Sequence, residues 1–498
     1  MLGKCDTFSL DKNEQPLKQR KAKELSHCHS DGHPFLDSRD CAARRAVGAS
    51  LDSLNAAPAA PGMAREQLQT KRLRQLQVAG ILCGFSAGAW LGAAEAPTKL
   101  VNIGISPVIV SLLMVSGVFL ARWSVPALIR GTAQIRLDVL QAPHLILWGV
   151  LAGCLWAVAN TLTILAIRNI GLSIAFPLWN LNSLLGIFWG WLLFHELRGA
   201  GRLRWLSVVG GAAVMFCGAT LLALASSAQT GGATATRGIL AALAAGALWG
   251  TMYIPYRKAY LTGMNPLSFV AFFTIGELGM MLALALHEAG GASALWQQLA
   301  HAKDVLFWLM LGGFVWVIGD LFQQYAAKYL GISRGIPLSN TNQLWGLLWG
   351  LFVFGELHGM ATGHYARVIG GSSLMAAGAC AIAMASVTRS EHAHWRTAAE
   401  REGARYGITD EFLNSGLQSD PDSETTGRSH PGPTGAASRS WVDWLLVAVA
   451  SGVFLYLASV ARTPQIPFSW PALLLLSLAL LTSLLLTSVV LFRTTRFE

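Results

Sequence analysis

Trp316, Asp320, Gln323 and Gln324 stand at i, i+4, i+7 and i+8 of an apolar stretch, so one helix face carries a ring, a carboxylate and two amides. That set suits a neutral polyol. The ring packs on C–H groups, and the polar groups bond hydroxyls. The alternative is a network of interhelical hydrogen bonds. Asp320 weighs toward function, because a carboxylate in mid-membrane is costly and marks a functional site by default. It is the first candidate to carry a proton, and Glu277, midway along another apolar run, is the second. A matching set, Trp156, Asn160 and Thr163, lies 160 residues earlier. Trp249, Tyr253, Tyr256 and Tyr260 form an aromatic stripe. Trp249 and Tyr253 are deep enough to line a cavity; Tyr256 and Tyr260 read as anchors at the cytoplasmic interface.

The spacing of 160 recurs in a longer stretch. "GLSIAFPLWNLNSLLGIFWGWLLFHEL" (Gly171–Leu197) aligns without a gap onto "GISRGIPLSNTNQLWGLLWGLFVFGEL" (Gly331–Leu357), with 13 of 27 positions identical. In the first copy Asn182, Gly186 and Gly190 recur every four residues, as Asn342, Gly346 and Gly350 do in the second. Small residues at that spacing let helices approach closely, and an amide there can bond across the contact. Asn180 lies about 200° around the helix from Asn182 and shares a face with Ser183; Asn340 stands likewise with Gln343. Those four are cavity candidates, one pair from each copy. Glu196 and Glu356 end their stretches and read as gating or capping groups.

The elements that must position these residues are membrane helices. Of 498 residues 53% are hydrophobic and 13% charged, with mean hydropathy +0.46, where a soluble domain carries about 25% charged residues. Ten apolar runs of bilayer-spanning length fall between Val78 and Val387, and two more at about 441–461 and 470–492. The net charge of +10 reflects basic loops; nucleic acid is not expected as a partner. With the N-terminus inside, inner loops of the ten-span core hold 13 Lys and Arg, Arg122, Arg257, Lys258, Lys328 and Arg334 among them, against 5 outside. The seven cysteines suggest no disulfide framework, and the His-flanked Cys28 fits no standard zinc pattern, so no metal or cofactor is expected. Residues 1–76 read as a polar, disordered arm, 77–228 and 237–387 as two five-helix repeats, 388–440 as a polar linker, and 441–492 as two added spans.

The offset of 160 carries Leu147–Ser226 onto Phe307–Ser386, and "GILCGFSAGAWLGAAEAP" (Gly80–Pro97) resembles "GILAALAAGALWGTMYIP" (Gly238–Pro255). Five spans is an odd number, so the two copies insert with opposite orientation, the inverted-repeat design of secondary transporters. The expected fold is all-α and polytopic, a ten-helix core of two inverted five-helix repeats plus two C-terminal transmembrane helices. The five-plus-five pattern, with a fourth span ending in Phe-x-Glu, resembles the drug/metabolite transporter superfamily. Within it, "LWGTMYIPYRKAYLTGMNP" (Leu248–Pro266) and "NTLTILAIRNIGLSIAFPL" (Asn160–Leu178) are similar to the glucose/ribose uptake family and the rhamnose–proton symporters. The resemblance covers about 78–387.

No P-loop speaks for ATP-driven transport and no HExxH motif for a metalloprotease. The reading is a secondary transporter of small polar solutes, sugars first, working in the lipid bilayer by alternating access with protons as a candidate coupling ion, and not an enzyme. A multi-pass position in the plasma membrane with a cytoplasmic N-terminus is expected. A drug or metabolite exporter of the same superfamily is the alternative. From another class, a non-transporting scaffold or intramembrane enzyme remains open.

Overall fold

A computed structural model of the chain describes residues 60–94, 96–99, 106–170, 178–179, 182–225, 233–355, 362–385, 387–408, 439–462, 468–495 and 497. The described residues are mostly helical, joined by short turns, and contain no strand. The helices are α1 (Ala60–Ala93), α2 (Ala96–Lys99), α3 (Pro107–Ile129), α4 (Ala133–Gln141), α5 (His144–Ile170), α6 (Asn182–Phe194), α7 (Arg202–Ala225), α8 (Ala233–Leu261), α9 (Pro266–Ala289), α10 (Ala292–His301) and α11 (Leu306–Leu330). They continue with α12 (Ile332–Ser339), α13 (Asn342–Leu348), α14 (Thr362–Met384), α15 (Arg389–Tyr406), α16 (Trp441–Val460) and α17 (Trp470–Thr495).

Ten of these are long and apolar enough to cross a membrane. The chain is an all-α polytopic membrane protein: in hydrocarbon only helices or closed barrels satisfy every backbone group. The fourth and ninth expected spans are the exceptions. The described part of the fourth is the shorter α6. The ninth is broken into α12, α13 and a π-helical turn, Trp349–Val353. Pro337 sits inside α12, where its ring denies the Ser333 carbonyl an amide partner and weakens the helix just before the break at Asn340–Thr341.

The close approaches follow a two-fold pattern. A Cβ on Gly92 of α1 would meet the Asn342 carbonyl and Trp345; one on Gly250 of α8 would meet the Asn182 carbonyl and Leu185, the matching residues of the other copy. Gly117 of α3 lies on the Met310 carbonyl, and its counterpart Gly276 of α9 on the Val150 carbonyl. In α7 and α14, Gly211 faces Gly378 and Ile382 while Gly218 faces Gly371 and Met375. Equivalent helices therefore cross antiparallel, as inverted copies must.

α16 and α17 bury only 17% of their apolar window, against 61% for α1 and α3. Leu474, Leu475, Leu478, Leu481 and Leu485 of α17 face outward, a surface suited to lipid. Ser86 Oγ bonds Thr487 Oγ1 of α17 at 2.7 Å, and just past α17 the Phe497 carbonyl accepts from Arg130, Asn265 and Tyr325. Ser86 belongs to a GxSxG string, Gly84–Gly88, that lies inside α1 and forms no strand-to-helix elbow. The polar stretch after α14 opens with structure: α15 has a capping box in which Thr388 Oγ1 accepts the Glu391 amide and Glu391 returns a bond to the Thr388 amide.

Candidate functional site

At the centre stands a residue that the sequence assigned to a loop. The apolar run that holds Arg122 continues through Val125, Ala127, Leu128 and Ile129, so α3 extends past the arginine and carries it inside the bundle, fully buried. Arg122 Nη1 donates to Glu277 Oε2 of α9 at 2.8 Å, and Nη2 to Asp320 Oδ2 of α11 at 2.7 Å. Its guanidinium lies over the rings of Phe273 (4.3 Å) and Trp316 (5.1 Å). Both candidate carboxylates thus share one cation. Breaking such a buried pair on one side costs about 3–5 kcal/mol, because a charge is left uncompensated.

The second oxygen of Asp320 accepts from Gln324 Nε2 at 2.9 Å, and Tyr260 donates its hydroxyl to Gln324 Oε1. Tyr256 and Tyr260 are buried at 0% and 2% exposure, packed edge-on against Phe269. This corrects their reading as interfacial anchors. α9 lies against α3 and presents Phe269 and Phe273 to the stripe, so the rings gain more by packing inward than by reaching an interface. Gln323 does not join the cluster; its Nε2 donates to Ser339 Oγ of α12 at 2.6 Å.

Some of the other candidates join the two copies directly. Trp156 and Trp316, equivalent residues of the two copies, meet edge to face at 5.3 Å. Asn340 Nδ2 donates to Asn182 Oδ1 at 3.0 Å and to Ser183 Oγ, joining the fourth and ninth spans across the copies. Ser183, Asn340 and Gln343 line a narrow crevice of about 20 Å³, room for about one water, with Met215 and Met375. Asn180 and Glu356 lie outside the described residues. Asn160 donates to Ser111 Oγ at 3.0 Å, Thr163 bonds the Asn160 carbonyl, and Trp249 packs on Trp179. Tyr253 is buried with its ring against Tyr256. The candidates therefore divide: Asp320 and Glu277 share the charged cluster, with Gln324 beside Asp320, Ser183, Asn340 and Gln343 line the crevice, and the others bond or pack elsewhere.

Glu196 is a capping group at one end of the bundle, as its position suggested. It accepts the amides of Ile332 (3.1 Å) and Ser333 (2.9 Å), the open N-terminus of α12, and the Ser333 hydroxyl. Arg257 of α8 pairs with it at 2.6 Å. Like Arg122, Arg257 and Arg334 are fully buried; Lys258 and Lys328 are nearly so. These five are not loop charges, so the inner count falls from 13 to 8, against 5 outside. The reason is pairing: a carboxylate or aromatic ring stands beside each buried arginine.

Fold and site together define a polytopic membrane protein of inverted-repeat design with a charged centre. Residues 236–375 match the EamA-like transporter family, so the chain carries an EamA-like domain of the drug/metabolite transporter superfamily. Two proteins of Streptococcus pyogenes, serotypes M1 and M3, each named "Putative sugar uptake protein", are 41% identical over 66 residues, 13% of this chain and 23% of theirs. The matched segment thus spans about a quarter of those relatives. A solved chain described as "Crystal structure of protein" aligns over 62% of this chain and 98% of its own, at 17% identity and a TM-score of 0.43.

Proposed function

We propose that this protein is a secondary transporter of small polar organic solutes, with sugars as the substrate class, working by alternating access. One observation carries the reading: residues of both inverted copies converge on the axis, where Trp156 meets Trp316 and Asn340 bonds Asn182 and Ser183. A site built equally by two inverted halves is exposed to either side by exchanging their conformations. The amides and ring faces there suit hydroxyl-bearing solutes, and the similarity to named sugar uptake proteins runs the same way.

Coupling to protons is assigned to the Arg122–Glu277–Asp320 cluster, whose two carboxylates share one cation. The N-terminus is placed in the cytoplasm and the protein in the plasma membrane. That orientation rests on the remaining excess of basic loop residues. A second reading, export of drugs or metabolites, is favoured by one feature: Asp320, Gln323 and Gln324 spend polar groups on protein partners, leaving aromatic surface at the centre. Uptake of a panel of labelled sugars into proteoliposomes, with and without a pH gradient, tests the reading. Saturable sugar uptake that an apolar cation does not compete supports it; transport of the cation alone supports the exporter.

A further inference from the structure

The polar helix α15 is not used by that reading, yet it contacts α5, α8, α12 and the turn after α6. Glu391, with no exposed surface, accepts from Arg334 Nη2 of α12 at 3.0 Å and from the Leu197 amide beyond α6 at 2.9 Å. Arg334 Nε also holds the Ala385 carbonyl at 2.8 Å, tying α12 to the end of α14. Trp395, 2% exposed, lies under the Arg257 guanidinium at 4.1 Å, and that guanidinium holds Glu196. Lys258 pairs with Glu402 at 2.9 Å, and Tyr406 stacks on His144 at the start of α5. Ser390 Oγ bonds the Gly199 carbonyl at 3.0 Å. His144, Leu197 and Gly199 belong to the first repeat; Arg257, Lys258 and Arg334 belong to the second.

We infer that α15 is a clamp that holds this end of the transporter shut by bonding both repeats at once, with Glu391 as its principal contact. The inference rests on the alternating-access reading above. When two inverted repeats swing apart at one end, an element bonded to both must let go of one. α15 is built to let go. Its buried face is one tryptophan, one glutamate and the small Ala398, Ala399 and Gly403, with His392 partly covered, while Arg396, Glu400 and Arg401 face water, so the released helix stays soluble. The groups beneath it form a lock of the same kind: Glu196 of the first repeat holds the α12 N-terminus and Arg257 of the second. Release of Trp395 would admit water to the Glu196–Arg257 pair and weaken it by raising the local dielectric. The clamp and the pair under it thus open together.

The test needs no substrate. Hydrogen exchange at the amides of Leu197, Ile332 and Ser333 reads the two locks directly, since these amides donate to Glu391 and Glu196. In the purified full-length protein, Glu391→Ala should speed exchange at 332–333 by tenfold or more, although Glu391 bonds neither amide. A second variant, Trp395→Ala, removes the ring over Arg257 and leaves the Glu391–Arg334 pair in place; it should speed exchange at 332–333 in the same direction. If Glu391→Ala fails to fold, Trp395→Ala decides. Exchange at 332–333 that is unchanged in a folded Glu391→Ala or Trp395→Ala protein overturns the clamp. Either result leaves the transport reading to its own test.

Discussion

Two regions of this molecule occupy equivalent places and do different things. At the junction of α3, α9 and α11 stand Arg122, Glu277 and Asp320. The repeat map that sets Gly117 on Gly276 and Gly153 on Gly313 carries these to Met281 of α9, Val118 of α3 and Asn160 of α5. One junction is a buried ion cluster. The other is neutral, with Thr161 Oγ1 near the Met281 sulfur and Asn160 bonded to Ser111. The backbone crossings match in both. Symmetry here belongs to the frame, which needs two near-equal arrangements, and not to the charge. α15 is a second asymmetry, since it follows the second repeat only.

The largest effect should come from making the charged junction unbalanced. Arg122→Met leaves two carboxylates buried without a cation and should cost about 3–5 kcal/mol, read as a lower thermal midpoint in detergent. Copying the neutral junction whole, with Arg122→Met, Glu277→Val and Asp320→Asn together, should restore most of that stability, because an ion cluster replaced by matched neutral groups is often near-neutral. The triple variant should fold and fail to couple. A triple variant no more stable than Arg122→Met alone would mean that the two junctions are not interchangeable frames.

Next in size is Asp320→Asn, which puts the amide of the neutral junction into the charged one. Accumulation driven by a pH gradient should fall by tenfold or more while substrate exchange persists. Normal accumulation at normal abundance would move the coupling to Glu277. The frame itself is tested by Gly218→Ala and Gly378→Ala, equivalent positions where a Cβ would stand 2.6 Å from the Gly371 carbonyl oxygen and 2.5 Å from that of Gly211. Each should cost about 1–3 kcal/mol of stability, and the two should agree within about 0.5 kcal/mol. A large difference between them would break the symmetry.

A pH effect should separate the end that carries α15. Burial, together with Arg257 and Arg334, holds the His392 imidazole down at about 4, against the pull of Glu391. A base depressed in the docked state favours docking fully above its ordinary range near 6.5 and loses that contribution as pH falls toward 4. Exchange at 332–333, corrected for its intrinsic pH dependence, should therefore rise between about pH 6.5 and 4, and His392→Gln should flatten the rise. The smallest effect is expected from removing α16 and α17. A cut after Ile408 should leave transport measurable, whereas a cut near residue 390, which composition alone would have chosen, also removes α15.

Much of this was written in the chain. The offset of 160 named both repeats, and five spans per copy required inversion, because a chain that crosses an odd number of times returns on the other side. Apolar length alone gave the membrane helices. Asp320 and Glu277 were legible as costly charges in apolar runs. Asn182 and Asn340 were legible as polar interruptions, though sequence put one on a packing face and the other in a cavity, and they bond each other.

What only the tertiary structure decided is which charges are partners. Arg122 looked like a loop residue because a span boundary cannot be placed within a turn from hydropathy, and that one turn separates solvent from core. Tyr256 and Tyr260 looked like anchors because a stripe of rings has the same spacing whether it faces an interface or another helix. α15 looked like linker because its sequence is polar, and its few buried residues pay off only against a surface assembled from five other helix ends. Periodicity along one helix states which residues share a face; what that face meets depends on residues 57 to 198 positions away, such as Arg334 for Glu391 and Asp320 for Arg122, and only the folded packing brings them together.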